Sequence, residues 1–209
     1  MFNLSVSQEL DDYVNDLIMV RMVNFGRRCT FNGNKTEQIT GIIGQSRVQD
    51  EFGLPWVDGK SGCDHGTDLA PFGVTIDVKT MGRTKPVIHH PEWINNFTCL
   101  QAHFCVDALL FASLMRRERV LTVCGWLPKH LVITRGHLYR KVEIRYKGSV
   151  PLEMRADNIE IHNYDLFDVT SMDDLKRQLK DYSDALGRRH QAAPLLGNWS
   201  DRFERFNLD

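Results

Sequence analysis

Residues 65–80 read HGTDLAPFGVTIDVKT, and this stretch decides the predicted fold. A short extended run leads into a Pro-Phe-Gly turn, after which apolar and polar residues alternate. Because successive side chains of a strand point to opposite faces, Asp77 and Lys79 stand side by side on one polar face. The opposite, apolar face is formed by Val74, Ile76 and Val78. The sequence therefore predicts a hairpin whose second strand carries a carboxylate next to an ammonium group.

The turn at residues 71–73 decides where a second carboxylate lies. If it folds the two extended pieces into a hairpin, Asp68 lies across the ladder from Asp77. Magnesium takes oxygen ligands and is commonly held by one or two carboxylates together with waters and a substrate phosphate. Such an ion activates water, and the nearby Lys79 can position that water. The pattern predicts a magnesium site formed by the two aspartates. Residues 77–79 taken alone would instead favour an ordinary solvent-facing strand with a weak exposed ion pair.

The order of Asp68, a turn, Asp77 and Lys79 resembles the PD-(D/E)XK nuclease superfamily, in particular its bacterial and phage members. Residues 41–53 resemble the helix that precedes the hairpin in those proteins, and residues 120–127 resemble their late strand with Gly-Trp. The resemblance implies an α/β fold with a central mixed β-sheet flanked by helices, a restriction-endonuclease-like core, with helical additions at both ends.

The activity implied by the resemblance is metal-dependent hydrolysis of DNA phosphodiester bonds, with an endonuclease favoured. Magnesium is the expected cofactor and manganese the alternative, with the two aspartates as ligands and Lys79 as the residue that orients the attacking water. Gln45 stands where members usually carry a glutamate, and its neutral amide accepts from a metal-bound water without adding negative charge. This difference argues against a second tightly held metal ion. Two further alternatives are that Glu37 or Glu51 substitutes for the glutamate and that the activity is weakened.

The glutamine also supports a second hypothesis. A catalytically weak or inactive protein with a nuclease-like fold could bind nucleic acid or serve in assembly, and would bind without requiring metal. A hydrolase of another phosphate ester ranks last, because the chain has no Gly-rich loop to cradle a phosphate.

Charge is distributed unevenly along a chain whose formal net charge is −1. Residues 111–150 hold nine basic residues against two acidic ones, which favours either a phosphate-contacting surface or an ordinary solvated face. DNA is the expected partner, and a homodimer is expected if both strands are cut at one site. The predicted phosphate contacts are Arg83 and Lys85, in the loop after the strand, and Arg116 and Arg117, in a turn between two apolar runs.

The 209 residues suit one domain with a substantial core. We expect a single nuclease-like domain over residues 1–209, with its core at about 36–165, an N-terminal helix over 7–28 and a C-terminal helical extension over 171–209.

Two helix starts and one helix end are predicted from local signals. Thr36 is the expected N-cap of a helix over 36–52. Residues 171–174 read as a capping box, and the helix that follows is expected to end at Gly187. The apolar runs at 107–113 and 119–125 predict two buried antiparallel strands.

Cysteine usage and the N-terminus bear on localisation. The five cysteines are odd in number and lack paired CxxC spacing, which favours a reduced, intracellular protein. Their spacing does not match that of known zinc ligands, so a structural zinc site is not expected. The chain start has no basic segment followed by an apolar run, so neither a signal peptide nor a membrane span is predicted. The expected location is the cytoplasm, that of the host cell if the chain is phage-encoded.

Overall fold

The computed structural model describes residues 1–22, 34–58, 66–147 and 149–192. The helices are α1 (Gln8–Met22), α2 (Lys35–Glu51), α3 (Lys129–Arg135) and α4 (Met172–Ala192). The strands are β1 (Phe2–Ser5), β2 (Ile76–Gly82), β3 (Ile94–Thr98), β4 (Ala108–Met115), β5 (Val120–Pro128), β6 (His137–Tyr139), β7 (Ile144–Lys147), β8 (Val150–Glu153) and β9 (Asn158–His162). Within these ranges no helix is long and apolar enough to cross a membrane.

A mixed four-stranded sheet, in the order β1-β5-β4-β2, forms the middle layer. Strand β2 runs parallel to β4, whereas β4 and β5, and β5 and β1, are antiparallel. The antiparallel pair predicted at 107–113 and 119–125 is confirmed as β4 and β5. A second sheet, β3-β9-β6, and a two-stranded ribbon of β7 and β8 complete the strands. The predicted α/β class, with a mixed sheet flanked by helices, is confirmed.

Strand β4 is buried on both faces, which explains its unbroken apolar sequence. Its residues Ala108, Leu110 and Ala112 pack in one core with α1, α2 and α4. The intervening Leu109 and Phe111 belong to a second core that includes residues of β3, β9 and α3. The middle sheet therefore has α1, α2 and α4 on one side and the second sheet together with α3 on the other.

Two predicted helix boundaries were wrong, and one was right. The N-cap of α2 is Asn34 rather than Thr36, because the Asn34 side chain accepts from the Glu37 amide at 3.0 Å and the Glu37 carboxylate accepts from the Asn34 amide at 2.8 Å. Helix α4 does not end at Gly187 but continues to Ala192. A single glycine lowers the stability of a long helix by only about 1 kcal/mol. The predicted start of α4 is confirmed by the Asp174 amide, which donates to Ser171 Oγ at 3.1 Å.

The predicted terminal helices extend beyond what the structure covers. Residues 23–28 of the N-terminal helix and residues 193–209 of the C-terminal extension lie outside the described residues.

Helix α2 approaches β2 closely at Gly44. A Cβ atom added there would lie 1.9 Å from Thr80 Oγ1, whereas a Cβ at Gly41, one turn earlier, would meet nothing within 4 Å. We expect Gly44→Ala to lower the free energy of unfolding by about 1–3 kcal/mol through overpacking. Gly41→Ala should instead raise it by up to about 1 kcal/mol through helix propensity. Urea unfolding followed by circular dichroism measures both, and equal stability of the two variants would contradict the close packing of α2 on β2.

Candidate active site

The predicted hairpin before β2 is present as a short antiparallel contact. The Ile76 amide donates to the Leu69 carbonyl at 2.8 Å, and the Asp68 amide donates to the Ile76 carbonyl at 2.9 Å. The turn at Pro71–Gly73 places Phe72 at φ 56°, a left-handed conformation that is strained for an aromatic residue. Ser183 of α4 donates to the Phe72 carbonyl at 2.6 Å and so holds the turn.

Asp68 lies at the outer edge of β2. Its Oδ2 atom accepts from the Val78 amide at 2.7 Å, where a further strand would otherwise pair. The Gln49 side chain of α2 donates to the Asp68 carbonyl at 2.8 Å and fixes the backbone. The carboxylate of Asp68 is thereby placed against the amide that directly follows Asp77.

Asp77 and Lys79 form an ion pair of 2.7 Å that faces the second sheet. Their lateral neighbours on β4 are Leu109 and Phe111, both in the second core. The side chains of Asp77 and Lys79 are only 5% and 17% exposed. The predicted alternation is confirmed, but the polar face is covered by a second layer. The pair is therefore not the exposed ion pair of a solvent-facing strand.

A second lysine, which the sequence analysis missed, belongs to this cluster. Lys129, the first residue of α3, is 5% exposed, and its Nζ lies 5.9 Å from the centre of the Phe97 ring. The Lys79 Nζ lies 6.0 Å from the same ring. Burial lowers the pKa of Lys129, the Asp77 carboxylate opposes that shift, and the Lys79 charge adds to it. Lys129 is 50 positions after Lys79 in the chain, so no local pattern connects the two residues.

Residues 99–107 cross over the two lysines, and we call them the cover segment. Lys79 donates to Gln101 Oε1 at 2.8 Å, while Lys129 donates to the carbonyls of Ala102, at 2.7 Å, and Phe104. At the end of the segment, the Asp107 carboxylate accepts from both the amide and the hydroxyl of Thr75, each at 2.8 Å. The cover segment thus accepts hydrogen bonds from the ammonium groups of both lysines.

Two of the residues predicted to contact DNA phosphates, Arg83 and Lys85, lie in the loop that follows β2. Arg83, just after β2, donates to the Ile94 carbonyl and lies 5.0 Å from the Trp93 ring, and burial lowers its pKa. Lys85 is exposed in the same loop.

The predicted turn arginines lie further away. Arg116 follows β4 five residues beyond the position paired with Lys79, which corresponds to roughly 16 Å along the strand. Its guanidinium donates to Asp11 at 2.7 Å and to Asn15 at 2.8 Å, and Arg117 is exposed beside it. The structure brings Asp68, Asp77 and Lys79 together and leaves these two arginines at the far end of the strands.

Helix α2 presents Gln49, rather than an acidic residue, to the hairpin. Gln45 precedes it by one turn on the same helical face and is half-buried, and its catalytic role stays a prediction. Both glutamates considered as substitutes have other partners. Glu37 caps the start of α2, and Glu51 forms an ion pair with Arg47.

The donor set limits which ion the site fits. Among the described residues, no three His, Cys, Asp or Glu side chains are grouped so as to hold a metal. Two carboxylates are nevertheless what magnesium commonly takes from a protein, since waters and phosphate oxygens complete its ligands. In number and type of ligand, Asp68 and Asp77 would suit magnesium, and this cofactor stays a prediction.

No protein-family model, curated protein or solved structure matches this chain. Its function therefore has to follow from the residues themselves.

The burial of Asp77 has a consequence for stability. Asp77→Asn leaves the ammonium group of Lys79 buried without its counter-charge, which we expect to cost about 3–5 kcal/mol. Adding Lys79→Met should recover part of that loss, with a coupling of about 1–3 kcal/mol between the two positions. Urea unfolding of the two single variants and the double variant measures this coupling. Strictly additive losses would show that the pair is not coupled.

Proposed function

We propose that the chain is a metal-dependent DNA nuclease of the PD-(D/E)XK type, with a restriction-endonuclease-like core, and that it acts as an endonuclease. The observation that supports the proposal is the hydrogen bond from the Val78 amide to Asp68, because Val78 lies between Asp77 and Lys79 on the same strand. Two carboxylates next to a lysine suit magnesium-assisted hydrolysis of a phosphodiester, and manganese is the alternative ion.

Each charged residue of the site has a part in this proposal. Asp68 and Asp77 would hold the ion, which supplies Lewis acidity at the scissile phosphate. Lys79 orients the attacking water, and its charge offsets the negative charge that develops on the phosphate. Lys129 adds a second positive charge to the same face of β2. Because the cluster is largely buried, these charges act at a lower effective dielectric constant than they would in water.

A specific observation also supports the second candidate, a nucleic-acid-binding or assembly protein without activity. Asp77 is nearly fully buried, and the cover segment holds both lysines. Cleavage would require a phosphate to reach this cluster, whereas binding alone would not. The neutral Gln45 favours the same candidate.

The sharpest test of catalysis is Asp68→Asn. The amide oxygen can still accept from the Val78 amide, so the edge of β2 should remain capped while the charge is lost. We expect metal-dependent nicking of closed-circular DNA to fall by about 100-fold or more. The free energy of unfolding should change by less than about 1 kcal/mol.

Asp12→Asn is the matched control, because Asp12 is an exposed aspartate on α1. It should cleave like the original chain. Full cleavage by Asp68→Asn would remove Asp68 from the mechanism. Binding without cleavage by the original chain, equal with magnesium and with EDTA, would favour the second candidate.

A further inference from the structure

The ammonium group of Lys79 is held by two oxygen atoms that come from different parts of the chain. One belongs to Asp77, on the same strand, whose Oδ2 lies 2.7 Å from Nζ. The other is Gln101 Oε1 of the cover segment, to which Nζ donates at 2.8 Å. A lysine ammonium has three N–H donors and no acceptor. These two contacts therefore take two of its three donors.

The second contact decides where the third donor points. A lysine side chain is a flexible four-carbon stem, so a single contact with Asp77 would leave Nζ able to move around that carboxylate. A contact from another element fixes the position of Nζ, and the tetrahedral geometry of the ammonium group then sets the direction of the third N–H bond. Within the ranges that the structure describes, this donor has no protein partner, and 17% of the Lys79 side chain is exposed. Water can therefore reach it.

The backbone that carries Gln101 is anchored on both sides of this residue. Gln101 ends a short turn of 3₁₀ helix that begins at Cys99, and the Cys99 amide donates to the Asp157 carbonyl at 2.9 Å. The next residue, Ala102, accepts at its carbonyl from the buried Lys129 at 2.7 Å. Because the turn is fixed at both ends, the Gln101 side chain approaches Lys79 from a defined position.

An amide is well suited to this contact. Its oxygen accepts a hydrogen bond but carries no net charge. A carboxylate at the position of Gln101 would give Lys79 a second counter-charge and would repel the phosphates of an approaching DNA strand. A neutral acceptor instead orients the ammonium group and leaves its positive charge available to the proposed reaction.

We infer that Gln101 is a positioning residue for Lys79, an inference that rests on the proposed nuclease function. The amide oxygen of Gln101 fixes the ammonium group so that its third N–H donates to the attacking water. Gln101 thus acts on the reaction through Lys79 and not through contact with the DNA. Lys129 contributes by holding the backbone next to Gln101.

The test measures metal-dependent nicking of closed-circular DNA by the full chain over a range of DNA concentrations, so that kcat and KM are obtained separately. Gln101→Met keeps an unbranched side chain and removes the accepting oxygen. We expect its kcat to fall by about 10- to 100-fold, because Lys79 is no longer held in place, and its KM to change by less than about 2-fold. Gln101→Glu keeps an accepting oxygen, so its kcat should stay within about 3-fold of the original value, while repulsion of DNA raises its KM.

A second measurement detects the contact without relying on activity. A double-mutant cycle combines Gln101→Met with Lys79→Met and follows urea unfolding by circular dichroism. We expect a coupling of about tenfold in the unfolding equilibrium constant, because the hydrogen bond involves a charged donor. Leu100→Met is the matched control, since Leu100 lies in the same turn and is 52% exposed. This control should neither change kcat nor show coupling with Lys79→Met.

Several results would overturn the inference. If Gln101→Met cleaves DNA with the same kcat as Leu100→Met, the nuclease function stands and Gln101 has no part in it. A higher kcat in Gln101→Met would show that Gln101 blocks Lys79 rather than orienting it. Strictly additive unfolding in the cycle would show that the two side chains are not bonded. A lack of metal-dependent cleavage by the original chain would remove the nuclease function and, with it, the role of Gln101, even where the coupling is present.

Discussion

The pairing of β2 with a strand that is buried on both faces sets the chemistry of this protein. Strand β4 sends alternate side chains into two separate cores, and β2 follows the same alternation in register. Asp77 and Lys79 must then point into the layer between the two sheets. Burying either charge alone would be costly, so the contact of 2.7 Å between them stabilises both in this layer.

The second lysine changes the charge of this layer. With Lys129 present, Asp77 is accompanied by two ammonium groups, and together with Asp68 the site holds two carboxylates and two lysines. Burial lowers the pKa of Lys129, and the Asp77 carboxylate opposes that shift. Asp68, at the edge of the same strand, supplies the further carboxylate that a divalent ion would need.

Access to the cluster depends on the cover segment. Its contacts with both lysines are hydrogen bonds to one amide side chain and two carbonyl groups. A phosphate that replaced these partners would offer charged oxygens in place of neutral ones, and charge-assisted hydrogen bonds are stronger. The segment is also held at its start, where the Cys99 amide donates to the Asp157 carbonyl at 2.9 Å.

Local sequence patterns were sufficient to predict the alternation of β2, the hairpin before β2, helix α2 and the β4–β5 pair. Each of these features depends on residues that are close together in the chain. The same patterns indicated Asp68, Asp77 and Lys79 as neighbours. Only the tertiary structure showed that the polar face of β2 is buried, because the covering layer is built from β3, β6, β9 and the cover segment, which are distant in the chain. Lys129 and Gln49 join the site for the same reason: their positions follow from how distant elements pack, which no short-range spacing specifies.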